Sequence, residues 1–271
     1  MSDLPTGPMP PTRTPHPPAP PTDAPATASR RSGAACSPRA LPLLALMLVG
    51  PAAACDRSSG AGTAAADDRS PTSSGEARVI GATEAAEPPP EGLATAIFAG
   101  GCFWCMEHPF ERLDGVGEVV SGYTGGEVVG PSYRDVAYGR TDHLEAVRVV
   151  YDPDRIAYET LVEVFFLNVD PTQSDGQFCD RGEQYRTAIF VDGPEQRAAA
   201  RKAKEAAAET LDEPIVTPIR DAGPFFVAED YHQNYYRTHA AQYQRYRRGC
   251  GRDARLRALW GDRAGGEGVA N

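Results

Sequence analysis

The stretch ATAIFAGGCFWCMEHPFERLDGVGEVVSGYTGG, residues 94–126, decides the fold. Its opening TAIFA is a short apolar run that stops at Gly100-Gly101 and reads as a buried strand. CMEHPFERL then places apolar residues at helical spacing, and GEVVSGYTGG reads as a second strand and a turn. Strand, helix and strand in immediate succession make a β-α-β unit. Downstream, SYRDVAYG reads as a short helix, and EAVRVVYDP alternates as a strand up to Pro153. YETLVEVFFLNV has helical periodicity and RTAIFVD reads as a strand. PEQRAAARKAKEAAAETL is a helix with Pro194 at its start. PIVTPI is predicted as a strand, and AEDYHQNYYRTHAAQYQRY as an aromatic helix or a helix plus loop. The predicted class is α/β (α+β): a two-layer sandwich with split β-α-β connectivity and a ferredoxin-like core with a mixed sheet. There is no nucleotide-binding fingerprint and no internal repeat.

The flanks divide the chain. Residues 1–55 form a signal region with a long Pro/Thr/Ala-rich lead that cannot bury enough apolar surface to offset its ordering entropy. Arg30, Arg31 and Arg39 precede the apolar run Leu41–Val49 and then small residues, the pattern of a secretory signal. The run is shorter than the ~20 residues of a membrane span. PAAAC, ending at Cys55, is similar to a bacterial lipoprotein cleavage site, so Cys55 is a candidate lipid anchor; plain secretion and a disordered cytosolic tail are the alternatives. Residues 56–93 read as a disordered linker, 94–261 as the folded domain and 262–271 as a disordered tail. Export implies a periplasmic or envelope location that permits disulfides. The net charge of −10, with no basic run, argues against nucleic acid.

Within the quoted stretch, Cys102 and Cys105 bracket Phe103-Trp104. Three readings compete. A disulfide-exchange centre would use both thiols. A zinc site needs two further ligands at matching spacing, and Cys179 and Cys250 stand apart. A nucleophilic Cys102 at a helix start, after a glycine turn, is the third, with Phe103 and Trp104 as walls of an apolar pocket. Pro109 implies either an irregular first turn or a helix that starts near His108.

GCFWCMEHPFERLDGVGEVVSGYTGG resembles the peptide-methionine (S)-S-oxide reductases, the A-type methionine sulfoxide reductases. PSYRDV, TDHLEAVRVVYDP, VDPTQ, GQFCDRGEQYRTAIF and AEDYHQNYY match further family motifs in order, so the resemblance spans Ala94 to Trp260. Cys105, Phe178-Cys179 and Asp142 depart from the commoner family residues. The resemblance implies that Cys102 attacks the sulfoxide sulfur, Glu145 is the acid, and Tyr133 and Tyr185 hold the oxygen. It implies that Phe103 and Trp104 cradle the methyl group and that Asp180 contacts the substrate's backbone amide. A second thiol then resolves the Cys102 sulfenic acid. Cys250, in the Gly-flanked RRGCGRD expected to be a mobile tail, is favoured, then Cys105, then Cys179. A thioredoxin-like protein is the expected reductant, with no bound cofactor and no metal, and the chain is expected to be a monomer. His143 and His232 are expected to make structural hydrogen bonds.

Overall fold

The computed structural model describes residues 83–269, which lie within one compact unit. The signal region, with Cys55, and the first part of the predicted linker lie outside the described residues. Strand β1 (Ala94–Gly100) leads into helix α1 (Trp104–Glu111) and β2 (Val116–Thr124). Next come α2 (Tyr133–Ala137), β3 (Leu144–Tyr151) and α3 (Tyr158–Phe166). A short hairpin, β4 (Gly176–Gln177) and β5 (Asp180–Arg181), precedes β6 (Thr187–Val191) and the long α4 (Gly193–Thr210). The chain closes with β7 (Ile219–Asp221), β8 (Phe225–Val227), α5 (Tyr235–Thr238), α6 (Ala240–Gly249) and α7 (Arg252–Trp260).

The main sheet has the order β7-β6-β1-β3-β2-β8. β1 and β2 are both antiparallel to β3, which lies between them, so β1-α1-β2 is a split β-α-β unit. β3 and β6 flank β1 in the same way, and the pairing of β6 with β7 is parallel. The sheet is therefore mixed, with the predicted ferredoxin-like centre and one extra strand at each edge.

Side-chain parity explains the layers. On β1, Ala96 and Phe98 join the large core under the helices, while Ile97 and Ala99 join a smaller cluster on the opposite face. Phe98 stacks on Phe110 of α1 at 5.1 Å and on Phe165 of α3 at 5.2 Å. Burying each such ring contributes about 2–3 kcal/mol. Among the described residues no helix is long and apolar enough to cross a membrane.

Four expectations are corrected. The folded part begins before residue 94: Ala85 bridges Phe226 of β8, and Arg148 Nη2 donates to the Glu87 carbonyl at 2.7 Å. PIVTPI is not a strand; pairing starts at Ile219, because Pro214 and Pro218 have no N–H to give a ladder. The predicted tail packs as well: Gly265 N donates to the Leu167 carbonyl at 2.8 Å, and Gly266 is buried. RRGCGRD is not a mobile tail, since Cys250 caps α6 and α7 follows with Leu256, Trp260 and Arg252 buried.

Candidate active site

β1 ends at Gly100, and Gly101 turns the chain with φ +83°. A Cβ at Gly101 would stand 2.5 Å from Gln177 Cβ, so both the turn and the close approach require glycine. Cys102 follows and α1 begins two residues later. The first turn is tight, with Cys105 N donating to Cys102 O at 3.0 Å and Met106 N to Phe103 O at 2.9 Å. Pro109 sits inside α1, so of the two expectations the irregular first turn is the one realised.

Cys102 and Cys105 are free thiols, both buried, with their side chains hydrogen-bonded to one another. Burial, then that bond, pushes the Cys102 thiol well up. The bond from Cys102, aided by Arg252 and Arg247, holds Cys105 down to about 6. The two sulfurs thus share one proton at neutral pH, and the pair titrates as a unit.

Period-two alternation places Glu145 on the same face of β3 as Val147 and Val149, toward the start of α1. Its Oε2 accepts the Phe103 N–H at 3.1 Å. Burial raises its carboxyl well above the ordinary range, with Asp180 adding to the shift, so the site favours its protonated form. Tyr133 opens α2 behind the Ser132 cap, and Tyr185 closes the 3₁₀ turn Glu183–Tyr185 ahead of β6. Both hydroxyls are kept protonated, first by burial and then by the field that Glu145 and Cys102 exert when ionised. Asp180, on β5, contributes to the same field at Cys102. The predicted Cys102, Cys105, Glu145, Tyr133, Tyr185 and Asp180 are thus electrostatically one site.

Phe103 and Trp104 are buried in an aromatic nest. Trp104 stacks on Tyr235 with centroids 3.8 Å apart, and its Nε1–H donates to His232 Nδ1 at 3.2 Å. The His232 ring lies 4.3 Å from Tyr133 and 5.1 Å from Phe103. His143 makes structural bonds: Nδ1 accepts from Gly126 N at 3.2 Å and Nε2 pairs with the Val128 carbonyl at 2.7 Å.

Cys250 is not a free thiol. It is disulfide-bonded to Cys179, with Cα atoms 4.9 Å apart. Three further residues support the site. Glu229 accepts from Tyr133 N and Tyr123 OH, each at 2.9 Å, and so fixes the start of α2. Tyr235 backs the indole, and Tyr246 of α6 donates to Asp180 Oδ2. Glu229 and Tyr235 lie inside AEDYHQNYY, which marked their segment; nothing local to Tyr246 in the sequence sets it apart from the other tyrosines of its helix.

A buried thiol pair, three O–H donors and an aromatic wall suit a polarised oxygen flanked by a small apolar group. The family model for peptide methionine sulfoxide reductase matches residues 94–264. The peptide methionine sulfoxide reductase MsrA of Bacillus licheniformis is 48% identical over 168 residues, covering 61% of this chain and 93% of that protein. That of Streptococcus agalactiae is 52% identical over 153 residues, covering 56% and 90%. Among solved structures, methionine sulfoxide reductase A of Corynebacterium diphtheriae aligns with TM-score 0.53 at 32% identity, covering 59% of this chain and 89% of that one. Reduced Mxr1 from Saccharomyces cerevisiae aligns with TM-score 0.54 at 32% identity, covering 57% and 90%. By sequence, fold and the thiol site at the start of α1, the chain belongs to the peptide methionine sulfoxide reductase family, A type.

Proposed function

We propose that the chain reduces the S epimer of methionine sulfoxide, free or in oxidised proteins, to methionine, as a monomer without a bound cofactor. The observation that carries this reading is the buried Cys102–Cys105 thiol pair, with buried Glu145 bonded to the amide of the residue that follows Cys102. Cys102 sulfur attacks the sulfoxide sulfur while its proton passes to Cys105. Glu145 gives a proton to the oxygen, which Tyr133 and Tyr185 hold through their hydroxyls. Phe103 and Trp104 seat the methyl group, and Asp180 meets the backbone amide. The substrate's S–O bond breaks, an S–O bond forms to Cys102, and two electrons move to the substrate sulfur. Methionine leaves and Cys102 is a sulfenic acid.

Cys105 is the resolving thiol in this reading. It attacks the Cys102 sulfur, the disulfide forms, and the oxygen departs as water. Its hydrogen bond with Cys102 supports this role, and the Cys179–Cys250 bond argues against Cys250. A thioredoxin-like dithiol then takes the disulfide by exchange. Export supplies a consistent setting: Arg30, Arg31 and Arg39 ahead of Leu41–Val49 support it, Cys55 is the candidate lipid attachment, and the exposed Cys179 in a disulfide suits an oxidising compartment.

The test is turnover of the separated S and R epimers by the full chain with dithiothreitol, with Cys102→Ser as control. Turnover of S alone, abolished in the variant, is expected. Folded protein that turns over neither epimer would overturn the reading.

A further inference from the structure

Helix α6 bears on the thiol pair through the charge of Arg247, and a second residue of the helix reaches the site directly. Tyr246 donates its hydroxyl to Asp180 Oδ2 and sets its ring edge-on to Trp104, centroids 6.0 Å apart at 84°. The contact is built from both sides. Cys250 lies one helical turn after Tyr246 and donates its amide to the Tyr246 carbonyl at 2.9 Å. Cys250 is bonded to Cys179, the chain neighbour of Asp180, and Cys179 Sγ lies 3.8 Å from Asp180 Oδ1. Asp180, Cys179, Cys250 and Tyr246 therefore close a ring of covalent and hydrogen-bonded links around one carboxyl group. Burial, and then the charges of Cys102, Cys105 and Asp180, keep the Tyr246 hydroxyl protonated and so a permanent donor.

We propose that Tyr246 is a positioning residue for substrate recognition: its hydroxyl fixes the Asp180 carboxyl in the orientation that receives the backbone amide of a methionine sulfoxide residue. This rests on the reductase reading above and extends it to how the site selects peptide-like substrates. The sulfoxide and its methyl group are handled by Cys102, Glu145, the two tyrosines and the Phe103-Trp104 wall. Of those groups Tyr246 meets the Trp104 ring edge-on and senses the two thiols electrostatically, while its one hydrogen bond goes to Asp180. Removing its hydroxyl takes away one of the contacts that aim the Asp180 carboxyl, and the terminal torsion is then held less firmly. The loss falls on substrates that carry the amide.

Two substrates separate the effects. S-epimer N-acetyl-methionine sulfoxide methylamide presents both the sulfoxide and the backbone amide; dimethyl sulfoxide presents only the sulfoxide and methyl groups. The quantity read is the ratio of their kcat/KM values in the full chain. In Tyr246→Phe, which keeps the ring edge, that ratio should fall about tenfold, the scale of a hydrogen bond to a charged group, and chiefly through KM for the amide substrate. Asp180→Ala should lower the ratio too, and adding Tyr246→Phe to it should lower the ratio no further. A wild-type ratio in Tyr246→Phe, equal losses on both substrates, or additive losses in the double variant would overturn the proposal; equal losses are what a merely destabilised fold gives. A wild-type chain that reduces neither compound would overturn the reductase reading itself, and the inference with it.

Discussion

The first residue-scale question is which sulfur meets the sulfenic acid. Cys105 is one helical turn from Cys102, shares its proton, and lies beside Arg252 and Arg247, which favour its thiolate. Cys250 is held by Cys179 and by the cap of α6. After one equivalent of methionine sulfoxide and no reductant, Cys105→Ser should retain a sulfenic acid that dimedone traps, with one adduct per chain by mass spectrometry. Cys250→Ser should give a full equivalent of methionine and no adduct. The reverse labelling would restore Cys250 as the resolving thiol. The chemistry at Cys102 could be expected from its motif, because a glycine turn before a helix is a local pattern. The pairing of Cys179 with Cys250 was not legible, since their sequence separation is 71 and nothing local in CDRG or GCGR specifies a partner.

Among elements, α1, β2 and α5 are joined by one acid. Glu107 is fully buried in α1, and its Oε1 accepts from Ser121 Oγ of β2 at 3.0 Å and from Asn234 N, just before α5, at 3.1 Å. Burial raises its carboxyl to about 7, with both hydrogen bonds opposing. The fold therefore favours the protonated acid. Its contribution is fully present below the ordinary value of 4.5 and is lost as pH rises through about 7. Thermal unfolding should move to lower temperature between pH 5 and pH 8. Glu107→Gln, which keeps an accepting oxygen, should flatten that slope by about 2–3 kcal/mol relative to wild type. Equal slopes in the two proteins would show that Glu107 does not titrate in the fold. Glu145 was legible only through the family resemblance: β3 is buried along its whole length, so alternation in EAVRVV does not by itself separate this acid from an ordinary strand residue. The PIVTPI expectation failed because apolar composition was weighed without the two proline nitrogens that cannot pair.

At the scale of the molecule, the boundary of the fold is set by backbone pairing rather than by composition. Residues 83–87 are poor in large apolar side chains, which is why they read as linker, yet they extend the sheet edge. Val227 N donates to Glu84 O at 2.9 Å, Ala86 N to Phe225 O at 2.7 Å, and Thr83 Oγ1 to Pro131 O at 2.7 Å. A chain beginning at Ala94 loses these bonds and the Arg148–Glu87 contact, and should melt about 5–10 °C below one beginning at Thr83 in scanning fluorimetry. Equal melting temperatures would show that the segment adds no stability. The α/β class and the split β-α-β centre were legible because each strand and helix carries its own period; edge pairing carries none.

The Cys179–Cys250 bond also changes how the molecule answers a pull. The bond bypasses the stretch from β5 to α6, so tension applied at the two ends of the chain travels through sulfur rather than through the residues between. β6, α4 and the partners of Asp180 then carry no direct load. A processive unfolding machine that grips either terminus can strip β1 and α7, but it meets a covalent crosslink before it reaches β6. In a reducing milieu that stop disappears, and the same chain can be threaded through from end to end.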